Sequence, residues 1–163
     1  MKKSILIIVL LLAFTQLASA MYKKKKKVQK TSTITFVSMH RTACFGRCPD
    51  YTIEIHADGT AKYFGYMFTQ HQGVYEKKLS NAQVATLFSR FEHYRVDTCQ
   101  DNYVMRITDV PSIIFNVEYN GNMKKINNAN FGPPFLKELA NEVDKTANIN
   151  STWKKIADTA LRQ

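Results

Sequence analysis

Two dipeptides, Asp58-Gly59 and Asn120-Gly121, each stand between runs in which apolar and polar residues alternate. Glycine takes positive φ without steric cost, and Asn or Asp tolerates the same region, so each pair marks a reversal between antiparallel strands. Tyr51-Thr52-Ile53-Glu54-Ile55-His56 leads into the first turn, alternating as a half-buried strand should, and residues 60–68 return from it. Ile113, Phe115, Val117 and Tyr119 lead into the second, and residues 122–127 return. Residues 33–37 and 73–79 read as two further strands. Whether the first turn carries a bulge is left open, and with it the register of that hairpin.

Helical signals lie between and after these strands. Ser80 and Gln83 make a capping box, in which hydroxyl and amide satisfy each other's orphan backbone N–H groups. Val84, Leu87, Phe88 and Phe91 then fall at i, i+3, i+4 and i+7, one apolar face that must be buried. Gly132-Pro133-Pro134 breaks the chain and opens a second helix, with Phe135, Leu136, Leu139 and Val143 inward. Asn150 or Ser151 reads as the cap of a last helix carrying Trp153, Ile156, Ala157, Ala160 and Leu161 on one face. Residues 97–109, which include Cys99, are polar and irregular. The fold class that follows is α+β: an antiparallel β-meander of hairpins with two to three helices packed on one face, in a single domain.

The N-terminus carries a different signal. Lys2 and Lys3 precede an unbroken apolar run over residues 5–14, and Leu17-Ala18-Ser19-Ala20 supplies the small residues a signal peptidase reads. The run is far short of the ~20 residues a membrane-spanning helix needs. Residues 1–20 are therefore expected to be a cleaved signal peptide, residues 21–32 a basic leader, and residues 33–163 the folded domain. The protein is expected to be exported, periplasmic or secreted in a bacterial envelope. An uncleaved anchor is the alternative, because Lys23, Lys24, Lys25, Lys26 and Lys27 lie just past the cleavage point, where positive charge favours the cytoplasmic side.

Export changes the meaning of the formal charge of +10. Losing Lys2 and Lys3 leaves +8, and Lys23 to Lys27 with Lys30 carry six of it, so residue 31 onward carries +2. The basicity belongs to a tail. Such a tail suits weak contact with an anionic membrane surface, against the simpler reading of a solvated leader. No basic stripe inside the domain points to nucleic acid.

Two of the three cysteines fall in Arg41-Thr42-Ala43-Cys44-Phe45-Gly46-Arg47-Cys48-Pro49-Asp50-Tyr51. Three disulfide pairings are open among Cys44, Cys48 and Cys99. Thioredoxin-like exchange needs C-x-x-C at a helix N-terminus; here the spacing is C-x-x-x-C, and Pro49 and a strand follow. His40, Cys44 and Cys48 recur every four residues, but a zinc site needs further ligands at set spacing, and His56, His71 and His93 are scattered. Neither a metal nor a cofactor is expected. Arg41 and Arg47 flank Gly46, which suits an anion-binding nest, although both arginines also have Asp50 and Glu54 within sequence reach. Tyr63, Phe64, Tyr66, Phe68 and Tyr75 alternate across both faces of adjoining strands, so some are core and some are open to a glycan or a protein partner.

The cysteine stretch resembles a family of uncharacterised exported bacterial domains with the signature T-x-C-F-G-x-C-P-x-Y, followed by a strand, D-G-T and a second strand. The matching residues are Thr42, Cys44, Phe45, Gly46, Cys48, Pro49 and Tyr51, then Asp58, Gly59 and Thr60; Thr108-Asp109, Pro111, Gly132-Pro133 and Trp153 also fit. The resemblance implies a Cys44–Cys48 disulfide with Cys99 left over, and it brings no activity with it. The resulting expectation is an exported, non-enzymatic binding or interaction domain, with Arg41, Phe45, Gly46, Arg47 and Tyr51 beside its stapled loop. An envelope thiol-redox or cysteine-dependent enzyme using Cys44 and Cys48 is the alternative.

Overall fold

In the computed structural model, residues 33–105 and 110–158 are described. The expected signal peptide and leader, Thr108-Asp109, and Ala160 with Leu161 lie outside them. Among the described residues eight strands form one sheet: β1 (Ile34–Arg41), β2 (Asp50–His56), β3 (Thr60–Met67), β4 (Gly73–Lys78), β5 (Asn102–Tyr103), β6 (Ile113–Tyr119), β7 (Asn122–Asn128) and β8 (Lys154–Ala157). Their order across the sheet is β5-β7-β6-β1-β2-β3-β4-β8. Every pairing is antiparallel except the short one between β5 and β7. Helix α1 (Asn81–His93) follows β4, a 3-10 turn (Val96–Thr98) follows α1, and helix α2 (Pro134–Ala147) follows β7.

Register decides which side chains meet the helices. Met39 stands opposite Ile53 and Phe115, and Val37 opposite Ile55 and Val117. Antiparallel partners point to the same side, so these five residues with Met39, together with Tyr63 and Ile126, make one apolar face. Val84, Leu87, Phe88 and Phe91 of α1 close over it, with Leu136, Leu139, Ala140 and Val143 of α2. The Ser80–Gln83 capping box is present. Phe135 is half-buried and stacks on Tyr94. The α+β expectation holds, with both helices against one face.

The first hairpin turns through Ala57-Asp58-Gly59, and Gly59 sits at φ +90. This three-residue form with a left-handed glycine resolves the open register.

The C-terminal segment departs from expectation. Residues 154–157 form β8 along the outer edge of β4, with Tyr75 opposite Lys155; no helix starts at Asn150 or Ser151. The Asn150 carboxamide oxygen accepts from the Thr152 backbone N–H at 2.9 Å and from its hydroxyl at 2.7 Å, closing a turn. Trp153 is buried and its indole N–H donates to the Ala147 carbonyl at 3.1 Å. With the tryptophan fixed there, the next residues meet the open edge of β4, whose unpaired backbone groups gain more from a strand than from a free helix.

Candidate functional site

β1, β3 and β7 finish at one end of the sheet, where β2, β4 and β6 begin: Arg41 is opposite Tyr51 and Ile113, Asp50 opposite Met67, Gly65 opposite Gly73, and Ile113 opposite Asn128. The β1–β2 connection crosses this end and contains a Cys44–Cys48 disulfide, with Cα atoms 5.5 Å apart. Cys99 is free and half-buried, and burial pushes its thiol up from its ordinary pKa.

Both ends of the loop are tied to the sheet. At its start, Thr42 N–H donates to the Ser112 carbonyl at 3.0 Å, and Ser112 N–H donates to Thr42 Oγ1 at 2.8 Å. At its end, Asp50 is 1% exposed and lies 2.8 Å from His40 Nε2. A buried carboxylate is tolerable only when bonded, so His40 and Asp50 clamp the loop where it enters β2. The two hydrogen-bonded clamps flank the bridge and leave the residues between the cysteines projecting. Phe45 is 89% exposed at this tip.

The expected site residues divide into two groups. Phe45, Gly46 and Arg47 share the exposed tip, and Arg47 forms no hydrogen bond or ion pair among the described residues. Arg41 turns to α2, donating from Nε (3.0 Å) and Nη2 (2.7 Å) to Asp144 and from Nη2 to Asn141 (3.0 Å). Tyr51 joins it there, its hydroxyl donating to Asp144 Oδ1 at 2.7 Å. Burial and then the neighbouring carboxylate hold the Tyr51 phenol far above its usual pKa. The partner of Arg41 is therefore Asp144, in place of Asp50 or Glu54. Asp144 and the His40–Asp50 clamp escaped sequence reading, because nothing local in the chain marks them.

Exposed apolar side chains gather at the same end. Phe45, Met67, Phe68, Val104, Met105 and Phe131 all lie in or beside its connections. Phe68 is also held at φ +55. A bulky residue in the left-handed region is an outlier that costs roughly 1–2 kcal/mol, and its ring is 47% exposed. Beside it opens a cleft of about 560 Å³ lined by Tyr51, Tyr63, Phe68, His71, Asp144 and Ile149. Of the aromatics in question, Tyr63 is core, Phe64 and Tyr66 lie half-buried on the opposite sheet face, and Phe68 belongs to this end.

Residues 35–147 match the family model DUF6438, described as a domain of unknown function. The chain belongs to that family. The DUF6438 match takes in both hydrogen-bonded clamps, the disulfide loop and all of α2, whereas Trp153 and β8 lie beyond it. No curated protein and no solved structure matches the chain. Among the described residues no group of three or more potential metal ligands comes together, and no helix is long and apolar enough to cross a membrane.

Proposed function

We propose that this DUF6438 protein is an exported binding domain that recognises a protein partner through the loop end of its sheet. The observation that carries this reading is Phe45, a large aromatic held 89% exposed on a loop closed by a disulfide and clamped on both sides. Exposing a ring costs solvation, and ordering the loop costs entropy. Both costs are offset when the ring enters a partner's pocket, and a pre-ordered loop loses less on binding. Phe68, Met67 and Phe131 extend the apolar surface, and Arg47 supplies an exposed cation of a type enriched at interfaces.

Export is supported by the N-terminal pattern of Lys2, Lys3, the apolar run and Ala18-Ser19-Ala20, and by a disulfide, which persists in oxidising compartments. The mature chain would then begin at Met21, and Lys23 to Lys27 would add salt-sensitive contact with anionic lipid. The thiol-redox alternative gains nothing from the setting of the bridge. Cys48 is followed by Pro49 and β2, so no helix N-terminus stabilises a thiolate.

The test is capture of envelope proteins by the wild type and by a Phe45→Ser/Phe68→Asn variant. Phe45 is 89% and Phe68 47% exposed and neither belongs to the buried core, so the variant should melt within a few degrees of wild type. A specific partner retained by the wild type and lost by the variant supports the reading. Equal retention by a folded variant refutes it.

A further inference from the structure

A second, smaller cleft of about 210 Å³ opens beneath the disulfide loop, lined by Arg41, Thr42, Cys48, Pro49, Ser112 and Lys137 among others. No acidic side chain lines it. Arg41 is held in place by bonds from Nε and Nη2 to α2, and Asp144 offsets much of its charge. Lys137 is different. It is exposed, it forms no ion pair among the described residues, and it lies one turn before Asn141 on the same side of α2. The first turn of α2 contains no acidic residue to neutralise it. The Ser112 hydroxyl makes no hydrogen bond among the described residues, although its backbone is fixed to Thr42 in both directions. The cleft thus combines a net positive charge, an uncommitted hydroxyl donor and walls fixed by a disulfide. Cys48 and Asn130 in its lining belong to the two connections that carry the exposed Phe45 and Phe131.

We infer that this cleft takes a carboxylate side chain of the bound protein, with Lys137 as its ion-pair partner and the Ser112 hydroxyl as a donor. The inference rests on the recognition reading above and deepens it: the partner would present an Asp or Glu beside the apolar residues that meet Phe45. A carboxylate accepts two or more donors at once, and a charge-assisted bond in a half-enclosed cleft is stronger than a neutral one.

The test is a nuclear magnetic resonance titration of the full chain with two blocked tripeptides, acetyl-Phe-Asp-Phe-amide and acetyl-Phe-Asn-Phe-amide, and with sodium acetate. The Asp peptide should shift the amides of Thr42, Ser112 and Lys137 saturably and bind about tenfold more tightly than the Asn peptide, the factor expected when one charge-assisted bond is lost. Lys137→Glu should abolish or reverse that preference while the rest of the amide spectrum stays in place, and Ser112→Ala should reduce it. Acetate should reach the same three amides weakly, without moving those of Phe45 or Phe68. Equal affinity for the two peptides, with shifts confined to Phe45 and Phe68, overturns the carboxylate site and leaves the apolar recognition surface standing. Acetate binding without any preference for the Asp peptide overturns the partner-borne carboxylate. Absence of shifts at all three cleft amides overturns the site altogether.

Discussion

Tyr51 and Asp144 are ninety-three residues apart in sequence and 2.7 Å apart in space, hydroxyl to carboxylate. The same carboxylate accepts from Arg41 through its other oxygen. One residue of α2 therefore fixes the last residue of β1 and a residue at the start of β2, the two strands that the disulfide loop joins. The loop is positioned from below by a helix as well as from within by its bridge.

Removing parts of that network should have graded effects. Tyr51→Phe deletes one hydrogen bond to a charged acceptor and should cost about 1.5 kcal/mol. Asp144→Ala removes the carboxylate that Arg41 and Tyr51 share, leaving Arg41 only Asn141, and should cost about 2–3 kcal/mol. Urea unfolding of the two variants beside wild type measures both. The raised pKa of Tyr51 also has a pH consequence. The folded state keeps this proton where the unfolded chain releases it, so the stabilisation is complete below about pH 10 and declines as pH rises beyond it. The alkaline decline should be shallower in Tyr51→Phe than in wild type.

The bridge closes a very short loop, so its stabilisation is limited. Replacing Cys44 and Cys48 together with Ser should lower stability by up to roughly 2 kcal/mol and leave the sheet intact. Cys99→Ser should keep the bridge and act only through local packing. A free-thiol count should give one per native chain. Melting with and without reductant, beside an insulin-reduction assay, separates a staple from an exchange site. Turnover lost in the Cys44 variant with no change in melting contradicts the staple.

The first hairpin should be intolerant at Gly59. A Cβ there would stand 2.5 Å from the Leu79 carbonyl oxygen, at a backbone φ of +90 that L side chains rarely adopt. Gly59→Ala should cost at least about 1 kcal/mol by thermal melting.

Next to it, Asp58 accepts from the Thr60 N–H, the Thr60 hydroxyl and Lys78, which together pull its carboxyl down to about 2. A depressed carboxyl contributes stability above its unfolded pKa near 4 and loses it as pH falls toward 2. Carboxyl-carbon resonances should show Asp58 titrating near pH 2, and Asp58→Asn should weaken the acid dependence across that window.

What was legible in the sequence was what short-range chemistry determines. The Ser80–Gln83 cap spans three residues, and the buried face of Val84, Leu87, Phe88 and Phe91 follows from helical period alone. Asn120-Gly121 marks a turn by backbone preference, and Asn120 does sit at positive φ. The same periodicity predicts a helix after Asn150 where the chain forms a strand, because its state is set by the edge of β4 and by Trp153 anchoring to Ala147. The candidate site was legible at the cysteines and at Phe45. Its fastenings were not: Arg41 to Asp144 spans 103 residues, and His40 to Asp50 depends on two strands leaving the loop side by side.

We propose the disulfide-loop end of the sheet as the recognition surface. Site-specific photo-crosslinking in cells tests it most directly, with a photoactivatable phenylalanine analogue placed at position 45, 68 or 123. Met123 is the control, because it is apolar and 57% exposed but is the second residue of β7, at the opposite end of the sheet. One discrete adduct, of the same mass, is expected from positions 45 and 68 and none from 123. Adducts of equal yield from position 123, or none from 45 and 68 in folded protein, would contradict it.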